Sequence, residues 1–594
     1  MKSSKSIVEE YLKKSDWRVK ENSNSPYSFG ALNKYITAEV SKDYWLREVY
    51  NEAIAKAYVD GHIHIHDLGG LSLYCCGYSL KDILFKGVRG VPNIPVSAPA
   101  KHLDSVLNQI ANLTTIFQNE IMGAVAFNGF DTLLAPFIKQ DKLTYKEVKQ
   151  DIQNYVFSIN SNSRAGAEPA FSNVTFDLTP PADMMDEYAV IGGDLVSFTY
   201  GECQQEMDML NRAFFETMLE GDAEGKLFAY PIPTYNIHDR FDWDNPNNKM
   251  LWEMAGKYGT PYFANFINSD LDITDVRSMC CRLRLDLSEL RHRNGGLFGA
   301  GDSTGSIGVV SINLPRLGYE CKGDKERFYS ELSKYLDLAK DSLEIKRQWL
   351  QENVIDTNLL PAYMEYVGTM NNHFSTIGVV GYNEMCENFM GKNILDDEAH
   401  KFCWEVGEFI RKKLLEYQDE TGHLFNYEAT PAESTCYRFA LTDKKYYPNI
   451  ITQGSGKDCY YTNSCHIPVK LVKSINDTFA HQNDLQKQFT GGTVIHVWEE
   501  GAITGEQAKA IVKAMFTNYE VPYMSLSPIS RYCDEHGYII EKVDKCPYCK
   551  AKLKKYQRIT GYLRCVDNYN RGKAAEFKDR VQLDPTGEFV ENEN

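Results

Sequence analysis

The sequence has no uninterrupted apolar run near the roughly 20 residues that a membrane-spanning helix requires. Its first residues, MKSSKSIVEEYLKKSDW, lack the apolar stretch of a secretion signal. Both absences predict a cytoplasmic chain with no membrane partner. An excess of basic charge is missing too: 64 Lys and Arg stand against 81 Asp and Glu, a formal net charge of -17. That excludes the broad positive footprint of a non-specific nucleic-acid binder, though not a nucleotide, which needs only a few local donors. There is no internal repeat, low-complexity tract or long Gly/Ser linker. Cysteine, by contrast, is plentiful, with 15 residues. Without a secretion signal these do not read as a disulfide framework.

The 594 residues, 43% apolar and 24% charged, suit an ordinary globular protein of several domains or one large barrel. Residues 7–60 read as helices broken near Asn22–Pro26. Residues 61–66, GHIHIH, alternate with period two and predict a strand. The 3.6-residue period predicts helix over most of 101–160, 205–221, 325–350 and 398–417, with strand-like runs at 307–312 and 492–497. Such alternation points to an α/β barrel or a doubly wound sheet. Beyond Pro528, Cys, Lys and turn residues crowd together, marking a small module over 529–594. The predicted division is therefore a helical segment over 1–60, a barrel over 61–528 and that module.

In the module, Cys533 and His536 are followed by Cys546 and Cys549. Two short-spaced pairs of thiolate and imidazole donors suit tetrahedral Zn²⁺ and not Mg²⁺ or Ca²⁺. Four protein ligands leave no open position, so the metal is expected to be structural, stapling a segment with little core. Reduced surface thiols are the plainer alternative. Cys203, Cys321, Cys386, Cys403, Cys436 and Cys459 carry no motif and read as core residues.

Twelve residues past Cys549 stands Gly561 in Arg558-Ile559-Thr560-Gly561-Tyr562. This pattern resembles the glycyl-radical signature shared by pyruvate formate-lyases and anaerobic ribonucleotide reductases. Upstream, Ser278-Met279-Cys280-Cys281-Arg282-Leu283 and the later Gly305–Arg316 block resemble the finger-loop region of the reductases. Gly61-His62-Ile63-His64-Ile65-His66-Asp67-Leu68, leading to Tyr74-Cys75-Cys76, resembles their HIHDL…YC segment. Similar blocks run in one order from about Asp16 to Arg580.

The resemblance implies a ten-stranded α/β barrel with an inner finger loop and a C-terminal glycyl-radical module. It implies reduction of ribonucleoside triphosphates to their 2′-deoxy forms. Gly561 would hold the stored radical, installed by an S-adenosylmethionine-dependent iron–sulfur activase, with Gly572 as a turn glycine and the second candidate. Cys281, with Cys280 as understudy, would become the thiyl, and Cys75 would deliver hydrogen to C2′. Asn313 would bind ribose hydroxyls or a small reductant. Thr430, Ser434 and Thr435, with Ser172, Asn173 and His64, would bind substrate. dNTPs and ATP as allosteric effectors, a homodimer, and formate or a thioredoxin- or glutaredoxin-like electron donor are implied as well.

Other readings stay open at this point. The adjacent Cys280 and Cys281 also allow an acyl- or diol-cleaving glycyl-radical lyase. His62, His64 and His66 alone allow a metal-dependent hydrolase. A non-catalytic zinc-bearing interaction protein leaves the ordered mid-chain blocks unexplained. Three departures from the family pattern are expected: the helical segment over 1–60 is read as lacking a complete ATP-cone, Cys565 stands where Pro is expected, and His536 where many relatives have Cys.

Overall fold

The computed structural model describes residues 2–21, 27–161, 168–268, 276–279, 283–286, 303–583 and 589–590. Ten strands build a ring. Five are β1 (Cys75–Gly77), β2 (Val125–Phe127), β3 (Ser172–Phe176), β4 (Ile232–His238) and β5 (Tyr262–Phe266). The others are β6 (Gly305–Asn313), β7 (His373–Val380), β8 (Leu424–Glu428), β9 (Ile495–Glu499) and β10 (Tyr523–Pro528). β1 to β5 lie parallel in chain order. β6, β7 and β8 run parallel to one another, as do β9 and β10. The halves meet antiparallel, β6 against β1 and β10 against β5. Gly491 N–H donates to Tyr427 O (2.7 Å) and Ala429 N–H to Gly492 O (2.8 Å), joining β8 to the segment that enters β9. The expected ten-stranded α/β barrel is the fold observed.

Parallel neighbours need crossovers, and helices supply them. Leu103–Gln118 links β1 to β2, Gln204–Glu220 lies between β3 and β4, and Lys325–Leu350 lies between β6 and β7. The period of two along β3 separates the layers. Val174 and Phe176 face outward into the apolar layer with Phe214 and Phe215, where losing one buried Phe costs roughly 3–5 kcal/mol. Asn173 and Thr175 face the lumen.

Val276–Met279 and Leu283–Asp286 pair antiparallel, Met279 opposite Leu283, as a separate two-stranded sheet. Val276–Met279 runs beside β1 and β2. After β10 comes a four-stranded antiparallel sheet of Gly537–Ile539, Ser530–Cys533, Lys554–Arg558 and Leu563–Cys565. The helix Arg571–Asp579 follows, and Leu583 then pairs with Glu499 of β9. The tail is thus hydrogen-bonded back onto the ring.

Two expectations change in detail. The strand expected at 61–66 is Ile63–Ile65, antiparallel to β6 at 310–312. The stretch 101–160 holds three helices but also β2, because a short apolar run such as Val125–Phe127 has no period that separates strand from helix.

Candidate active site and metal centre

The strands Lys554–Arg558 and Leu563–Cys565 pair with Arg558 opposite Leu563, so Ile559 to Tyr562 form the turn between them. Gly561 sits in that turn with both flanking backbone groups engaged. Its N–H donates to Glu433 Oε1 at 2.9 Å. Its carbonyl accepts from the Tyr262 hydroxyl and from Arg558 Nη1, the latter at 3.4 Å. Arg558 is buried, lies 4.0 Å over the Tyr262 ring and donates to the carbonyls of Gly259 and Thr260.

Arg580 clamps the same turn from behind. It donates to Arg558 O at 3.0 Å, Ile559 O at 2.8 Å and Gln557 Oε1 at 2.8 Å. It also pairs with Glu576 at 2.9 Å and covers Trp498 at 3.7 Å. Glu576 is held at 2.5 Å by Lys573. The two cations keep this buried carboxylate below the ordinary range, against the burial that pushes it up.

From Tyr262 a polar path enters the lumen. Tyr262 and Tyr523 have ring centroids 5.5 Å apart. The Tyr523 hydroxyl is 2.6 Å from Thr234 Oγ1, which accepts from Asn173 Nδ2 at 3.2 Å. A second line runs from Tyr562, beside Gly561, to Phe171, whose rings lie 6.1 Å apart. Phe171 packs against the buried pair Cys75 and Ala124.

Cys75 faces Ser306 across the β1–β6 pairing, and its sulfur accepts from Ala124 N–H at 3.4 Å. Gly123 is obligatory here, since a Cβ would stand 2.5 Å from that sulfur. Ser306 is 3.0 Å from Thr376 Oγ1, and Thr376 pairs with Asn426 on β8. Behind Gly308, Lys346 is buried. Burial pushes its ammonium pKa down to about 8, partly offset by Asp67 and Cys75.

The 429–435 segment leads from β8 into the helix Glu433–Tyr446. Thr430 lies over Gly378, where a Cβ would come within 2.0 Å of Thr430 Oγ1. Ala432 N–H donates to Asn463 Oδ1 at 3.1 Å. Thr430 Oγ1, Thr435 Oγ1, Ser464 Oγ, Asn173 Oδ1, Thr175 Oγ1 and both amide atoms of Asn426 are buried with no hydrogen-bond partner among the described residues. Buried polar atoms left this way are costly, and those on the lumen wall suit a polar ligand. Ser434 is half-buried in the same turn.

Three sequence-predicted residues are placed otherwise. Asn313 ends β6, seven residues from Ser306 and so roughly 20 Å along the strand from the position opposite Cys75. Its Nδ2 donates to Gly61 O at 2.8 Å and Asp443 Oδ2 at 2.9 Å, and its Oδ1 caps the helix Leu314–Cys321. Asn313 is a structural cap, and Ser306 is the β6 residue that faces Cys75. Ser172 shares the outward face of Val174 and Phe176, so of the two only Asn173 faces the lumen, beside Thr175. His64 lies opposite Ser311 on the lumen side, but its Nδ1 is 3.1 Å from Arg438 Nη1. Desolvation, then His66 and Arg438, hold its pKa well below the ordinary value.

Cys280 and Cys281 lie outside the described residues, in the sequence between Met279 and Leu283. Gly572 is not in a turn: it is buried in the first turn of the helix Arg571–Asp579, where a Cβ would meet Tyr437 Cδ2 at 2.7 Å. Sequence reading also missed Tyr262, Tyr523, Thr234, Thr376 and Asn426, whose only signal was polar residues alternating with apolar ones along strands.

Among the described residues, one cluster of three or more His, Cys, Asp or Glu side chains could hold a metal ion: Cys533, His536, Cys546 and Cys549. Cys533 Sγ lies 3.6 Å from both His536 Nδ1 and Cys549 Sγ, and Cys546 Sγ lies 3.7 Å from His536 Nδ1. Metal–sulfur and metal–nitrogen bonds of about 2.3 and 2.0 Å at tetrahedral angles give edges of about 3.5–3.8 Å. The donors fit.

A family model described as anaerobic ribonucleoside-triphosphate reductase matches residues 21–583. The anaerobic ribonucleoside-triphosphate reductase of Salmonella typhimurium is 24% identical, over 91% of this chain and 80% of its own length. A solved anaerobic ribonucleotide reductase has a TM-score of 0.79 at 22% identity, covering 98% of this chain and 93% of its own. The Thermotoga maritima anaerobic ribonucleotide reductase, in complex with dATP and CTP, gives 0.76 at 22% identity, over 96% and 94%. At such identities the two structures speak for the fold.

Proposed function

The chain belongs to the anaerobic ribonucleoside-triphosphate reductase family, and from that premise we propose that Gly561 stores the radical with which it reduces ribonucleoside triphosphates to 2′-deoxyribonucleoside triphosphates. The family match does not favour the acyl- or diol-cleaving lyase. One observation carries the assignment: Gly561 is tied by Tyr262 and Glu433 to the mouth of a polar lumen that contains Cys75. The Gly561 α-carbon radical takes a hydrogen atom from the Cys281 thiol, regenerating glycine and leaving a thiyl. That thiyl takes the ribose 3′-hydrogen. Cys75 gives a hydrogen atom to C2′ as the 2′-hydroxyl leaves as water. The external reductant would return Cys75 to the thiol and supply the remaining electron and proton at C3′. The 3′-hydrogen then returns from Cys281, whose thiyl takes hydrogen back from Gly561.

The unpartnered hydroxyls of Thr430 and Thr435, with Ser434, would receive phosphate oxygens, and Asn173 would meet the ribose. Ser306, Thr376 and Asn426 extend the same polar wall. The net reduction takes two electrons, which formate or a thioredoxin- or glutaredoxin-like protein would supply. Cys533, His536, Cys546 and Cys549 would hold structural Zn²⁺. An S-adenosylmethionine-dependent iron–sulfur activase would install the radical. dNTP and ATP effectors, a homodimer, a cytoplasmic location and the division at residues 60 and 528 complete the reading. No described helix is long and apolar enough to cross a membrane.

The test is anaerobic activation followed by assay of dNTP formation from each NTP. Product is expected from the parent. Cys281→Ser should keep the electron paramagnetic resonance doublet but give no product, because a serine O–H is too strong a bond to break. A verified radical with no dNTP from any NTP would reject the function.

A further inference from the structure

We infer that Glu433 is a positioning residue for the radical glycine, polarising the Gly561 peptide and tying it to the segment that would bind the substrate triphosphate. The inference rests on the reading of Gly561 as the radical site. An unpaired electron on a glycine α-carbon spreads onto the amide nitrogen on one side and the carbonyl on the other. An acceptor on the N–H makes that nitrogen more electron-donating. Donors on the carbonyl make it more electron-withdrawing. Gly561 has this arrangement: Glu433 Oε1 accepts its N–H at 2.9 Å, while Tyr262 and Arg558 donate to its carbonyl. The contacts also hold the backbone planes on both sides of the α-carbon, which favours the flat geometry a delocalised radical requires.

Glu433 is well placed for a second task. It is the first residue of the helix Glu433–Tyr446, directly after the segment that carries Thr430 and directly before Ser434 and Thr435. Asn570 Nδ2 reaches the Glu433 carbonyl at 3.4 Å, so the residue also touches the start of the helix that follows the glycine turn. A phosphate seated on those hydroxyls would fix the helix start, and with it the carboxylate that holds Gly561. An acidic residue in a helix first turn is stabilising on electrostatic grounds alone. That purely structural role would leave the radical untouched, so the test must read the radical itself.

The parent, Glu433→Ala, Glu433→Gln and Glu433→Asp are activated anaerobically. Doublet yield, its anaerobic decay with and without CTP, and kcat and KM for CTP are then measured. Asp keeps the charge but withdraws the oxygens by about one C–C bond, ~1.5 Å, while Gln keeps an oxygen acceptor in place. Glu433→Ala and Glu433→Asp should lower doublet yield or lifetime at least tenfold and kcat by a similar factor. KM should stay within threefold. Glu433→Gln should recover at least half of the parental yield. CTP should lengthen the lifetime in the parent and not in the Ala or Asp forms. If Glu433→Ala fails to fold, the contrast between Glu433→Asp and Glu433→Gln separates the same outcomes.

Parental yield, lifetime and kcat in Glu433→Asp, or a loss confined to KM, would overturn the inference. A parent without any doublet after activation would instead remove the reading of Gly561 beneath it.

Discussion

Replacing Arg580 by Met should loosen the glycine turn while leaving the barrel closed. Arg580 is buried, makes three hydrogen bonds to residues 557–559 and pairs with Glu576. Removing one partner of a buried ion pair costs roughly 3–5 kcal/mol. Here the lower figure applies, because Glu576 keeps Lys573 at 2.5 Å. A cost of about 3 kcal/mol is about a hundredfold in the opening equilibrium of the turn. Hydrogen exchange followed by mass spectrometry reads it directly. Amides in a peptide spanning residues 556–565 should exchange about a hundredfold faster where opening is pre-equilibrated, while the helix Gln204–Glu220 on the outer wall stays protected. Arg580→Lys, which keeps the charge but not the planar fork, should fall between the two. Less than threefold acceleration in the turn, or equal acceleration in the outer helices, would refute the clamp.

Gly572→Ala should retain the glycyl doublet. Its methyl would crowd Tyr437 at 2.7 Å and the Cys459 carbonyl at 3.1 Å, costing about 1–3 kcal/mol against up to ~1 kcal/mol gained from helix propensity. A lower thermal midpoint checks the crowding, and a lost doublet in a folded protein would shift the radical to residue 572. Metal analysis should find one zinc per chain, and a strong chelator should expose the 530–565 segment to protease; unchanged protection after zinc loss would contradict a structural metal. His373 is buried, and burial pushes its imidazole pKa down to about 3. Its neutral form therefore stabilises the fold above pH 6.5, and that contribution falls by about 1.4 kcal/mol per pH unit as pH drops from 6.5 toward 3. In denaturant titrations the difference between the parent and His373→Gln should shift with that slope, and a pH-independent difference would show that His373 does not titrate as assigned.

Much of the candidate site was legible because its chemistry sits in contiguous blocks. The pairs Cys533/His536 and Cys546/Cys549 fix their own spacing, so the metal donors fall within 4.8 Å of one another as read. The block around Gly561 marked the turn. Asn313 and Ser172 carried local signals that point to the places the structure gives them. Asn313 precedes Leu314-Pro315, an arrangement suited to a helix cap with proline in the first turn, and a capping side chain is not free for substrate. Ser172 shares its parity with Val174 and Phe176, and period two places it with them on the apolar face. The rest was out of reach for a physical reason. Glu433 and Gly561 are 128 residues apart, and Tyr262 reaches Gly561 across 299. No local pattern encodes such contacts; ring closure creates them.

The proposed radical is an unpaired electron held on the backbone at residue 561, beside the barrel lumen. Activated protein exposed to air should be cut at that backbone position. Intact-mass measurement of the fragments tests this most directly. An N-terminal fragment that ends near residue 560 should appear, and only after activation. A cut near residue 571 would move the radical to Gly572, and an uncut chain that had carried the doublet would contradict a glycyl radical altogether.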